Sequence, residues 1–203
     1  MIAKSAKLIA GALLAAVLTV PAGRESAAHP HVWIDAVVSP RFEKGAVVAL
    51  DITWRFDAFY SSVASEDFDS NGNGTLDPEE LEALAQVSLT SLADYSYFTY
   101  VYLDGAPIET VVDSLTVSRE GEALHYAYAV ALPEPVKPAE RSLSFSLYDE
   151  SYYVDVALDQ TDPVRLAGEG AEACHFALVE DVDRPFYFGM VVPIRADLVC
   201  GVS

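Results

Sequence analysis

Positive charge is scarce in this chain. Its 203 residues carry 12 Lys and Arg against 31 Asp and Glu, a formal net charge of −19. Such a balance speaks against a nucleic-acid partner or an anionic lipid surface and favours attraction of cations. Cysteine is scarcer still, with Cys174 and Cys200 alone. Beyond Val20 no apolar run is long enough for a membrane-spanning helix, so no direct membrane insertion is expected after processing. The motifs of several enzyme classes are also missing. There is no G-x-S-x-G nucleophile elbow, no H-E-x-x-H zinc helix and no phosphate-cradling glycine loop. Acid pairs are so common that Asp149, Glu150 or Asp155 cannot be singled out as general acids. The chain reads as a protein without catalytic activity. No internal repeat or low-complexity tract appears.

What is present begins with a leader. Lys4 and Lys7 precede an uninterrupted apolar and small-residue run, Leu8 to Val20, which is shorter than the roughly 20 residues of a membrane span. This is the pattern of a secretory signal peptide. Cleavage fits after Ala22 or after Ala28, and Arg24 and Glu25 make the second the better site. No Cys follows either position, which speaks against a lipid anchor. The expected organisation is a signal peptide over 1–28 and a single periplasmic domain over 29–203. Cleavage removes three cations and one anion, so the mature chain is more acidic still. In an oxidising compartment Cys174 and Cys200 favour a disulfide, worth on the order of 3 kcal/mol by the chain-entropy model. The alternative is Cys174-His175 as soft metal ligands.

Hydrophobic alternation then predicts a mainly β, α+β fold. His29 to Glu43 and Ala46 to Phe56 read as strands joined by a turn at Lys44-Gly45. Further strands are expected over 97–103, 111–118, 123–132, 143–148, 152–158, 172–179 and 191–199. Asp104-Gly105 marks one hairpin turn, and Pro133, Pro135 and Pro138 mark a connector. Many short strands suggest an antiparallel β-sandwich or open barrel. Between Phe56 and Tyr95 the period shifts to about 3.6. Phe56, Phe59, Val63 and Asp67 or Phe68 mark one helical stripe, and Leu81, Leu84, Ser88, Leu92 and Tyr95 another. This is an inserted helix–loop–helix over 56–95. The many aromatic residues, among them Phe98, Tyr100, Tyr102, Tyr126 and Tyr128, are read as sheet packing in preference to a sugar-stacking platform.

The loop between those stripes, Asp69 to Glu80, matches D-x-[DN]-x-[DN]-G-x₅-E at every specified position. Calcium takes six to eight oxygens. Asp69, Asn71 and Asn73 would supply them at loop positions 1, 3 and 5, and Thr75 through its carbonyl at 7. Asp77 would act at position 9 and Glu80 as the two-oxygen clamp at 12, with Gly74 at the sharp turn. The chain thus resembles an EF-hand in this stretch. Asp77-Pro78-Glu79-Glu80 is also a good helix start, but a capping box does not account for Asp69, Asn71, Asn73 and Gly74 in register. Few carboxylates and no partner loop point to weak affinity, about 10⁻⁴ to 10⁻³ M.

A second metal site is readable near the processed N-terminus. In His29-Pro30-His31-Val32-Trp33-Ile34-Asp35, alternation places His29, His31 and Asp35 on one strand face. Two imidazoles and a carboxylate suit zinc, nickel or cobalt. A free α-amine at His29 would add a nitrogen suited to copper or nickel. The alternative is an ordinary strand with two solvent-exposed histidines. His125 and His175 are lone residues in strand patterns, either of which could complete a site.

That N-terminal stretch, together with Trp54-Arg55-Phe56-Asp57-Ala58-Phe59-Tyr60-Ser61, the calcium-like loop, Tyr97-Phe98-Thr99-Tyr100 and Tyr148-Asp149-Glu150-Ser151-Tyr152-Tyr153-Val154, resembles a bacterial periplasmic family of unknown function. Its members are labelled as the periplasmic component of an uncharacterised ABC-type transport system and are often paired with a nickel/cobalt-type permease. The resemblance implies an accessory role in transition-metal transport beside an inner-membrane metal permease, with His29, His31 and Asp35 as ligands. The other reading is a calcium-stabilised extracytoplasmic protein-interaction module without transition-metal cargo.

Overall fold

The computed structural model describes residues 30–201. The leader, both cleavage sites and His29 lie outside that range. Strand β1 (Val32–Glu43) turns at Lys44-Gly45 into β2 (Ala46–Phe56), the hairpin expected from alternation. Along β1, Val32, Ile34, Ala36 and Val38 are buried while Trp33 and Asp35 are exposed, as is His31 just before the strand, so the two faces divide as the period of two requires. Helices α1 (Ala58–Phe68) and α2 (Pro78–Ala93) follow. The remaining strands are β3 (Thr99–Leu103), β4 (Ala106–Ile108), β5 (Leu115–Glu120), β6 (Ala123–Val136), β7 (Leu143–Leu147), β8 (Val154–Leu158), β9 (Ala167–Gly168), β10 (Cys174–Glu180) and β11 (Ile194–Cys200).

These strands form two sheets. The first runs β5-β6-β2-β1-β8 with β9 also on β1, the second β10-β11-β7-β3-β4, and neither closes into a barrel. Their inward residues, including Ile52, Trp54 and Val130 of the first and Val101, Phe145 and Leu198 of the second, belong to one buried cluster. The sheets are not wholly antiparallel, because β8 and β9 run parallel to β1. Parallel pairing needs a long crossover. The chain supplies it by passing through the second sheet before β8, which local pattern could not reveal.

Three local expectations are corrected. First, β6 does not stop at the prolines but continues through Pro133 and Pro135 to Val136. Past Ala131, which bridges to Val111, no strand among the described residues pairs on that side, so a proline without an N–H forfeits no ladder bond. Second, β3 starts at Thr99 because Ser96, Tyr97 and Phe98 all have positive φ, near 50°, forming a left-handed turn. Tertiary bonds hold it: the Tyr97 hydroxyl donates to the Leu89 carbonyl (2.9 Å), and the Tyr128 hydroxyl to the Tyr97 carbonyl (3.1 Å). Third, α1 turns a different face inward from the expected stripe. Phe59 and Val63 are 72 % and 43 % exposed, while Ser61 and Ala64 are buried. Small side chains allow the helix to sit close to the first sheet, where the Ser61 Oγ accepts the Leu124 N–H at 3.0 Å.

The expected bridge between Cys174 and Cys200 is formed, joining directly paired residues of β10 and β11. Among the described residues no helix is long and apolar enough to cross a membrane.

Candidate functional sites

Caps position the calcium-like loop. The Asp57 side chain accepts the N–H groups of Phe59 (2.8 Å) and Tyr60 (2.9 Å), starting α1, and also that of Trp33 (2.9 Å), which ties the helix to β1. Asp77 caps α2 in the same way, and Glu80 completes a capping box by accepting the Asp77 N–H at 3.1 Å. An N-cap of this kind contributes about 1 kcal/mol.

Within the loop the side-chain oxygens of Asp69, Asn71, Asn73, Asp77 and Glu80 all face donors of the loop itself. Asp69 accepts from Asn73 N–H (3.0 Å) and Gly74 N–H (2.7 Å), and Asn73 from the N–H and hydroxyl of Thr75 (2.8 and 2.7 Å). The buried Glu80 accepts from the N–H and hydroxyl of Ser70 (2.9 and 2.8 Å) and from Asn71 N–H (3.3 Å). The Asp77 N–H leads the set of donors that holds the Glu80 carboxyl below its ordinary pKa, so it stays ionised inside the loop. The side-chain NH₂ of Asn71 donates to both Asp77 (3.1 Å) and Glu80 (3.2 Å). A neutral donor therefore bridges the two carboxylates that a cation would bridge. Turning that amide over exchanges its NH₂ for an oxygen. Among the described residues, no three His, Cys, Asp or Glu side chains already stand as a metal-binding group.

The second predicted set is only partly assembled. His31, just ahead of β1, and Asp35 within it are both exposed, with Trp33 between them. The His31 ring lies 4.8 Å from that of Tyr153, centre to centre. Asp35 is engaged by Arg55 of β2 at 3.2 Å, so it could serve a metal only by giving up that pair. His125 lies 4.0 Å from Glu120, and His175 is exposed on β10; neither joins His31 in a metal-binding group.

Sequence reasoning missed two further features. One is a polar chain beneath the helices: the Ser88 hydroxyl donates to the Tyr126 hydroxyl (3.1 Å), which shares a bond with that of Tyr60 (3.1 Å). Period alone placed Ser88 on the inner stripe, but its partners come from β6 and α1. The other is Asp155 of β8, a half-buried carboxyl at the wall of an apolar cavity of about 320 Å³ that also includes Val156, Leu178 and Phe186. Burial raises its pKa, with no cation to offset the cost. A raised carboxyl pKa favours the protonated fold, so stability is lost as pH rises from the unfolded value through the folded one. Asp155→Asn is accordingly expected to raise the denaturant midpoint at pH 7 and leave it unchanged at pH 3, read by urea titration at both.

No solved structure matches the chain. An uncharacterized 15.5 kDa protein from the trpE 3′ region of Spirochaeta aurantia is 27 % identical over 131 residues, covering 64 % of this chain and 93 % of that protein. The family model DUF1007, described as a protein of unknown function, matches residues 12–184. With most of its length inside that match, the chain belongs to the DUF1007 family of proteins of unknown function.

Proposed function

We propose that the protein is a periplasmic metal-binding accessory protein, one mature domain of β-sandwich type whose EF-hand-like loop holds calcium. The observation that carries this reading is Asn71, whose NH₂ occupies the bridging position between Asp77 and Glu80. Calcium would displace that donor and recruit the oxygens of Asp69, Asn71, Asn73, Thr75, Asp77 and Glu80. The mature N-terminus is the point from which a transition metal would be delivered to an inner-membrane permease. The Cys174–Cys200 disulfide suits the oxidising periplasm.

Calorimetric titration of calcium into the secreted protein tests the loop. Binding near 10⁻⁴ to 10⁻³ M is expected, and its persistence unchanged in Glu80→Gln would refute the assignment. For the transition-metal arm, nickel, cobalt, zinc and copper are titrated separately. His29→Ala with His31→Ala should abolish binding of the preferred ion, whereas Asp35→Ala should weaken it only slightly, since Arg55 already engages that carboxylate.

A second reading, a calcium-stabilised interaction module without metal cargo, is favoured by exposed apolar side chains between β10 and β11. Phe188 is 92 % and Met190 68 % exposed. Failure of every transition metal to bind, with calcium binding intact, would select it.

A further inference from the structure

Strand β8 stands at one end of the first sheet, and its outer edge is open. Successive residues of a strand send their backbone N–H and C=O groups to opposite sides. On β8 one side is taken up by β1: the Tyr153 carbonyl accepts the His31 N–H at 2.8 Å, and the Asp159 N–H donates to the Ala36 carbonyl at 2.8 Å. The backbone groups of Asp155 and Ala157, in step with these, also face β1. Val154 faces the other way, its N–H donating to the buried Asp149 carboxylate at 3.0 Å. Val156 and Leu158 share that outward direction. Among the described residues nothing bonds to their N–H or C=O groups. Such edges template added strands, and proteins blunt them with proline, lysine, bulges or short length. Edge strand β4 is blunted in this way, being three residues long with Pro107 in it. By contrast β8 has neither proline nor lysine and pairs with β1 without a break in register.

The cavity of about 320 Å³ runs along this edge and is lined by every residue from Val154 to Asp159. Much of the remaining lining is apolar, including the exposed Leu178 of β10 and the exposed Val192 and Ile194 at the start of β11. Register sorts the β8 side chains by face, because paired residues share one. Val156 pairs with the buried Ile34 and looks inward, whereas Asp155 pairs with the exposed Trp33 and lies on the outer face. The charged residues of the lining are Asp149, Asp155 and Asp159, with no Lys, Arg or His. Neighbouring N–H and hydroxyl groups satisfy Asp149 and Asp159. Asp155 has no hydrogen bond or ion pair among the described residues. A second copy of this chain, at a net charge of −19, would bring like charge to that edge. A cationic segment would bring the charge that Asp155 lacks.

We propose that β8 takes up an extended peptide segment of a partner protein as a further strand, with apolar side chains entering the groove and Lys or Arg side chains meeting Asp155 on the outer face. Main-chain bonds to Val156 and Leu158 supply affinity, and the alternating side chains supply selectivity. The inference rests on neither metal site, so the metal titrations and the test below fail independently.

The test is fluorescence anisotropy with fluorescein-labelled, end-blocked Val-Lys-Val-Lys-Val-Lys-Val and its counterpart with Glu for Lys. Two further peptides carry N-methyl groups on the Val amides or on the Lys amides of the first. In an added strand only one of those two sets faces β8. The Lys peptide should bind more tightly than about 1 mM, and the Glu peptide at least about tenfold more weakly. One N-methylated peptide should lose at least about tenfold in affinity, since it forfeits several hydrogen bonds, while the other keeps its affinity. Leu158→Pro removes an outward N–H and no ladder bond, and should weaken the Lys peptide at least about tenfold. Asp155→Asn should weaken it about threefold, and decides the location if Leu158→Pro fails to fold by near-ultraviolet circular dichroism. No binding of the Lys peptide, equal affinity for the Lys and Glu peptides, equal loss in both N-methylated peptides, or undiminished binding by Asp155→Asn or folded Leu158→Pro would each overturn the proposal.

Discussion

Saturating calcium is expected to raise the melting temperature of the protein by about 5–11 °C. At a free concentration 100 times the dissociation constant, a ligand that binds only the folded state adds about 2.7 kcal/mol. For a chain of this size each kcal/mol moves the midpoint by about 2–4 °C. The expected weak site therefore needs roughly 10–100 mM calcium to deliver the full effect. Glu80→Gln separates this from simple helix capping. Gln keeps one oxygen, enough for the Ser70 N–H that Glu80 Oε1 now accepts, while the Asp77 N–H on Oε2 loses its acceptor. The calcium-free variant should then melt within a few degrees of the wild type, with a cap worth about 1 kcal/mol at stake. Its response to calcium should vanish. Thermal melts with and without calcium give both readings. An equal calcium shift in wild type and variant would show that the ion acts elsewhere.

Loss of the Cys174–Cys200 bridge should have an effect of similar or greater size. With a sequence separation of 26, the closed loop corresponds to about 3 kcal/mol of chain entropy removed from the unfolded state. Paired Cys174→Ser and Cys200→Ser should lower the melting temperature by about 6–12 °C. The damage should be uneven. Cys174 and Cys200 secure the far end of the β10–β11 pair, while the near end is held by Asp181, which is buried and meets Arg184 at 2.9 Å and Arg195 at 3.2 Å. Hydrogen exchange should therefore accelerate first in β10, the edge strand of its sheet, and leave β1 and β2 protected. Uniform acceleration across both sheets would show that the bridge stabilises the whole fold alike.

Much of the candidate loop was legible because its rules are local. Asp77-Pro78 marks a helix start wherever it occurs, and α2 begins there. Asp104-Gly105 names a tight turn, and both residues adopt the positive φ it requires. Alternation in β1 assigned Val32, Ile34, Ala36 and Val38 to one face, and that face is buried, as a period of two must have it. The first helix was less readable. Its apolar residues suggested one inner face, yet Asp57 bonds to Trp33 and Ser61 to Leu124, and those distant partners turned another face inward.

From the residues alone, then, came the mainly β character, the hairpin at the start, the two helices around an acidic loop and the pairing of two cysteines. Each follows from backbone geometry or composition within reach of a short window. The tertiary structure decided that β8 lies parallel to β1, that Asp35 answers Arg55, and that the helices roof an aromatic cleft over Trp54. These outcomes depend on which distant surfaces meet and which donors are left without an acceptor when they do. That is a property of packing, and no local period encodes it.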